Sequence, residues 1–339
     1  MPGMKVKKIS ILSIFMVTVL PLGSVAWGQK KVSYDGYVSS GLEYLHRKVY
    51  GEGYYKGKLK FKIDLSKDLR GVLDFRGKSA DREIELKGAY VRFSYVPHLR
   101  VKVGQIKKRF GLEELIAKEK LSTIQESLIN RYLAPFGYVV RGLGIELSRV
   151  YKKKNPYSFN LGIFYNESHQ SFLLGRVARY NLWGFYQIGV DGIYRRCIDG
   201  GNRDFYAFSL DLTRQVKAFH WEGEVFYGQD PVESDYRRLC NKDEEVSFLG
   251  VRSLVLHHWD THRHVIQGVE PLFLFSFLAP DVDTMKAHRL QFLVGLNLYF
   301  HPKVRFRING DLILTNTQYN PDEYAMTQSR AIGELQLRW

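Results

Sequence analysis

The sequence has only two cysteines and ten prolines in 339 residues, and no run of eighteen apolar residues follows its amino terminus. Two cysteines, Cys197 and Cys240, cannot build a disulfide scaffold. The missing apolar run excludes a helix-spanned membrane protein. No linker rich in Pro, Ser or Gly divides the chain, so residues 27–339 are read as one domain. Gly-x-Ser-x-Gly, Walker-type and Rossmann glycine patterns are missing too. Ser168 and His169 are the nearest approach to a nucleophile and base, but neighbours in a strand point to opposite faces. No enzyme activity, catalytic residue or cofactor is therefore expected.

What is present begins with an export signal. Lys5, Lys7 and Lys8 precede an apolar stretch from Ile9 to Leu22, and small residues follow to Ala26 and Gly28. This pattern predicts a signal peptide over residues 1–26, cleaved after Ala26 or Gly28. Its removal takes three lysines and no acid, lowering the formal net charge from +15 to +12. An exported basic chain has no access to nucleic acid inside the cell. Its charge is directed instead at small anions, acidic lipid or anionic surface polymers.

Strict alternation is the strongest pattern in the rest of the chain. Leu59, Phe61, Ile63 and Leu65 alternate with Lys58, Lys60, Lys62 and Asp64, which puts oil on one strand face and charge on the other. Val304, Phe306 and Ile308 alternate in the same way with Arg305, Arg307 and Asn309. Sixteen such segments are read, at 32–45, 55–66, 70–79, 83–95, 98–106, 139–151, 157–166, 172–181, 183–196, 203–215, 217–229, 244–257, 262–278, 287–300, 303–316 and 328–339. Short links alternate with long ones, as the two rims of a transmembrane barrel require.

The last segment alternates Leu335, Leu337 and Trp339 with Glu334, Gln336 and Arg338. Its aromatic end resembles the carboxy-terminal signal of bacterial outer-membrane barrels. In lipid an open sheet edge would leave backbone groups unpaired at several kcal/mol apiece, so the sheet must close. The expected fold is all-β: a transmembrane antiparallel barrel of about sixteen strands in the bacterial outer membrane. A lumen of that width holds water.

Residues 107–138 interrupt the alternation as the third external loop, and a helix-friendly stretch from Leu112 to Leu121 predicts a short helix folded against the inner wall. From Val101 to Ser148 the chain reads VKVGQIKKRFGLEELIAKEKLSTIQESLINRYLAPFGYVVRGLGIELS. The run resembles the phosphate-selective porin O and P family through Gly104, Gln105, Lys107, Phe110–Leu115, Leu121, Ser127, Leu128, Ala134, Pro135, Arg141, Gly144 and Leu147. The resemblance implies an anion-favouring, homotrimeric outer-membrane channel constricted by this loop. The chain departs from the family at Gln125 and Glu126, where Glu-Arg is common; an acid there puts phosphate preference in question.

Candidate anion-path residues on the presumed lumen face are Lys58, Lys60, Lys62, Arg76, Lys102, Arg305 and Arg307. Lys107, Lys108, Arg109, Lys118, Lys120, Arg131 and Arg141 stand in or beside the loop. Guanidinium and ammonium groups can replace part of an anion's hydration shell. The alternatives are a general, weakly selective porin and a sealed structural or adhesive barrel. HHWDTHRH, residues 257–264, is read as a solvated turn and no metal is assigned to it. Cys197 and Cys240 fall in neighbouring external loops, where a disulfide is possible.

Overall fold

The computed structural model describes residues 31–45, 51–79, 83–149, 156–166, 170–184, 186–197, 203–240, 245–261, 263, 265–284, 288–316 and 328–339. The expected signal peptide lies outside them. The strands are β1 (Lys31–Leu45), β2 (Glu52–Asp64), β3 (Leu69–Lys78), β4 (Ile84–Phe93), β5 (Leu99–Lys107), β6 (Arg141–Arg149), β7 (Tyr157–Asn166) and β8 (Gln170–Leu182). They continue as β9 (Tyr186–Cys197), β10 (Arg203–Val216), β11 (Phe219–Gln229), β12 (Ser247–His257), β13 (Trp259–Asp260), β14 (Gly268–Ala279), β15 (Arg289–His301), β16 (Val304–Thr315) and β17 (Gln328–Arg338). β13 is a two-residue stub on the edge of β14. The other sixteen pair antiparallel in sequence order, and β1 closes on β17 from Tyr37↔Arg338 to Leu45↔Arg330.

The period-two pattern explains the two surfaces of this barrel. On β16, Arg305, Arg307, Asn309 and Asp311 face inward and are buried, while Ile308 and Leu312 face out and are exposed. On β7 and β8 the outward set includes Leu161, Ile163, Leu173 and Val177. An apolar outer surface on a closed sheet matches a hydrocarbon surround, because closure pairs every strand edge. β14 breaks the alternation. Its inward Leu272 and Leu274 are buried with Leu254 and Leu293, while Phe273 faces out.

The expected helix from Leu112 to Leu121 is interrupted. It forms only α1 (Leu112–Leu115), ends at extended Ile116, and resumes as a single 3-10 turn at Lys118–Lys120. Lys107 enforces the break: its Nζ donates to the Ile116 carbonyl at 3.1 Å and sits 2.9 Å from Glu114. Gly111 enters α1 at φ 83°, a left-handed conformation that favours glycine. A second helix, α2 (Leu128–Leu133), starts where the Ser127 hydroxyl accepts from the Asn130 amide. α3 (Pro231–Leu239) lies in the loop after β11, capped by Asp230 with proline at its first position.

Candidate pore and its inner loop

Loop 3, residues 108–140 between β5 and β6, is tied into the barrel by apolar and polar contacts. At its neck the Lys108 amide donates to Val140 O at 3.3 Å. Phe110, Ile129, Leu133, Phe136 and Tyr138 from the loop pack with Phe164, Phe172, Ile193, Phe226 and Phe248 from the wall. The Phe110 ring lies 5.8 Å from Phe226 and 6.2 Å from Tyr138.

A loop inside a barrel carries backbone groups that need partners. Wall side chains supply them. The amides of Leu112, Ile124 and Leu128 donate to Glu224 at 2.9 Å, Asn309 at 2.7 Å and Gln291 at 2.7 Å. Arg305 donates to the carbonyls of Glu119 at 2.8 Å and Leu121 at 2.9 Å, and Arg307 to those of Leu121 at 3.1 Å and Thr123 at 3.0 Å. Asn297 donates to Ser122 O at 3.0 Å. Ser127 hydrogen-bonds Glu113 at 2.7 Å, and Arg252 lies 3.6 Å from the same carboxylate. Arg252 also meets Glu222 at 2.9 Å and Glu224 at 3.9 Å, all of them buried.

The basic residues singled out from the sequence divide into groups. Arg305 and Arg307 are loop clamps, and Arg307 also pairs with Glu334. Lys58 is an anchor, 2.6 Å from Glu119. Burial would raise the Glu119 carboxyl, but the Lys58 ammonium beside it holds it below the usual range. Lys102 is paired with Glu146 on the neighbouring strand, Lys62 with Asp35, and Lys107 with Glu114. Arg76 and Arg141 converge on Asp74, at 3.4 and 2.8 Å.

Lys108 is fully buried. Exposure is kept by Arg109 (39%), Lys118 (46%) and Arg131 (31%), with Lys120 also exposed and Lys60 partly so. Lys118 shares Glu126 at 2.5 Å, and Gln125 donates to Glu43 at 3.3 Å.

Several residues that hold the loop were not singled out from the sequence: Glu224, Arg252, Gln291, Asn297 and Asn309. Alternation marks them as inward-facing, but every inward polar residue carries the same mark. Ile116, Lys120–Thr123 and the β10–β14 wall line a half-open cavity of about 580 Å³ that also includes His220, Arg252, His258 and Glu270. His258 stands 3.4 Å from Asp260 and 3.5 Å from Glu270. His262 and His264 lie outside the described residues. The disulfide considered between Cys197 and Cys240 is not formed, and both are free thiols.

Among the described residues, one group has metal-ligand spacing: Asp191, Asp211 and Glu224 bring carboxylate oxygens within 4.8 Å of one another. Arg176 Nη1 already bridges the two aspartates, 2.6 Å from Asp211 and in contact with Asp191. The trio thus fits a guanidinium partner.

This architecture has counterparts among solved structures. The anion-selective porin from Comamonas acidovorans superposes with a TM-score of 0.67 at 11% identity, over 91% of this chain and 100% of that one. The outer membrane channel DcaP of Acinetobacter baumannii gives 0.62 at 10% identity, over 91% and 97%. The trimer form of OmpT from Vibrio cholerae gives 0.62 at 9% identity, over 91% and 99%. No curated protein matches the sequence significantly. The family described as "Phosphate-selective porin O and P" matches residues 40–180, well beyond the stretch that first suggested it. The chain has the porin fold, and its β1–β8 portion with loop 3 resembles the phosphate-selective porin O and P family.

Proposed function

We propose that the protein is a passive outer-membrane channel for small anions, phosphate among them. The observation that carries this reading is the unequal treatment of the two charge signs by loop 3. Of its four acids, Glu113 and Glu114 are buried against Ser127, Arg252, Lys107 and Asn130, and Glu119 and Glu126 are each ion-paired, with Lys58 and Lys118, while Arg109, Lys118, Lys120 and Arg131 keep access to water. Partly hydrated cations along a wet path attract anions without trapping them. Phosphate enters through the description of the matching family, and a homotrimer through the trimeric neighbour. Solute moves down its own gradient, and no chemical step is involved.

A weakly selective pore is the second reading. Glu126 favours it, because it takes up Lys118 where the family resemblance places an arginine.

Planar-bilayer recording decides between these. In a salt gradient the reversal potential should have the anion-selective sign, and added phosphate should reduce the chloride current. Arg109→Gln with Lys118→Gln should lower the anion-to-cation permeability ratio, because two partly screened cations leave the path. An unchanged ratio would take both residues out of the path. A bilayer without current steps would instead support a sealed barrel.

A further inference from the structure

Lys108 places an amine in the protein interior with no counter-ion beside it among the described residues. The side chain is fully buried, and its Nζ lies 3.3 Å from the centroid of the Phe172 ring. That nitrogen has no hydrogen-bond partner among the described residues. Its Cε lies 3.5 Å from the point where a Cβ on Gly142 would stand, so β6 closes the other side.

The charged groups on the surrounding strands and on the loop are engaged with partners of their own. Arg195 on β9 has the same sign and donates to Phe136 O at 2.8 Å. Arg176 on β8 is held by Asp191 of β9 and Asp211 of β10. On β11, Glu224 accepts from the Leu112 amide and the Ser209 hydroxyl. On its own side, Lys107 pairs with Glu114, Arg141 with Asp74, and Arg109 lies 3.9 Å from Glu146. Tyr138 donates its hydroxyl to Gln229 O. A ring face offsets only part of an ammonium's lost hydration and falls well short of the burial cost. Burial, with Arg195 pushing the same way, brings the Lys108 amine down to about 7.

We propose that Lys108 is a proton-operated latch at the neck of loop 3, packed on Phe172 when neutral and loosening the loop when protonated. The latch rests on the channel reading only where current reports it. In water a lysine amine binds its proton up to a pH of about 10.4. Between about 7 and about 10 the docked loop therefore holds fewer protons than a released one, and docking strengthens with rising pH by up to tenfold per unit. Below about 7 both forms are protonated and the dependence flattens.

The test records current flicker at pH 6, 7, 8, 9 and 10 for the full-length wild type, Lys108→Met and Lys108→Arg, alongside amide exchange of residues 108–140. Wild-type flicker should fall by up to tenfold per unit above pH 7. Lys108→Met should stay quiet throughout, and Lys108→Arg should flicker throughout. The latch is overturned if wild type and Lys108→Met share one pH dependence, or if both are flat. A barrel passing no current would refute the channel reading alone. The exchange difference between wild type and Lys108→Met at each pH would still report on the latch, even if the arginine variant does not fold.

Discussion

Phe110→Ala is expected to free the neck of loop 3, at a cost of about 3–5 kcal/mol in docking stability. Phe110 has no exposed surface, and its ring sits between Phe226 on the wall and Tyr138 on the returning arm of the loop. Replacing it by a methyl opens a cavity that the closed sheet behind Phe226 cannot fill by moving. The next residue, Gly111, must hold φ 83°, so the chain cannot shift another side chain into the gap without strain. Amide exchange over residues 108–140 should rise by two or more orders of magnitude, while exchange in β14–β17 stays near wild type. Phe110→Leu, which refills most of the volume, should recover over half of the loss. Wild-type protection in Phe110→Ala would show that the polar anchors alone hold the loop.

The sequence made the wall of this barrel legible because a strand writes its environment into every second residue. The segment expected at 157–166 is β7 to the residue, and Trp339 closes against Gly36 through its backbone amide at 3.2 Å. Loop 3 obeys no such period. Lys108 sits between Lys107 and Arg109, and nothing in a run of three cations says that the middle one turns under Phe172.

Arg305 and Arg307 show a different limit. Alternation correctly puts both on the lumen face, yet it cannot reveal that carbonyls from nearly 190 residues earlier take up their donors. The helix boundary at Ile116 failed for a more local reason, a tertiary contact only nine residues away. Local propensity carries a helix through to Leu121, but the Lys107 ammonium captures the Ile116 carbonyl first. Contacts between a loop and a wall distant in sequence leave no periodic trace, and the candidate path is built largely from such contacts.

Arg252→Met is expected to destabilise the folded barrel by about 3–5 kcal/mol, because it leaves buried charges without a counter-ion. The guanidinium is almost completely buried beside Glu222, Glu224 and Glu113, so one cation serves two strand residues and the first turn of α1. Methionine preserves most of the buried volume, which assigns the loss to electrostatics instead of packing. Two signatures separate this cause from a cavity. Glu222→Gln added to Arg252→Met should restore stability, although Glu222→Gln alone should reduce it, giving a coupling of about 1–3 kcal/mol in a double-mutant cycle. Lowering the pH should also narrow the gap between variant and wild type, since a neutral carboxyl needs no counter-charge. Urea unfolding in lipid vesicles, followed by tryptophan fluorescence, measures both. Additive effects with a pH-independent gap would mean that Arg252 only fills space, and the polar attachment of α1 to the wall would then rest on Glu224 of β11 and its bond from the Leu112 amide.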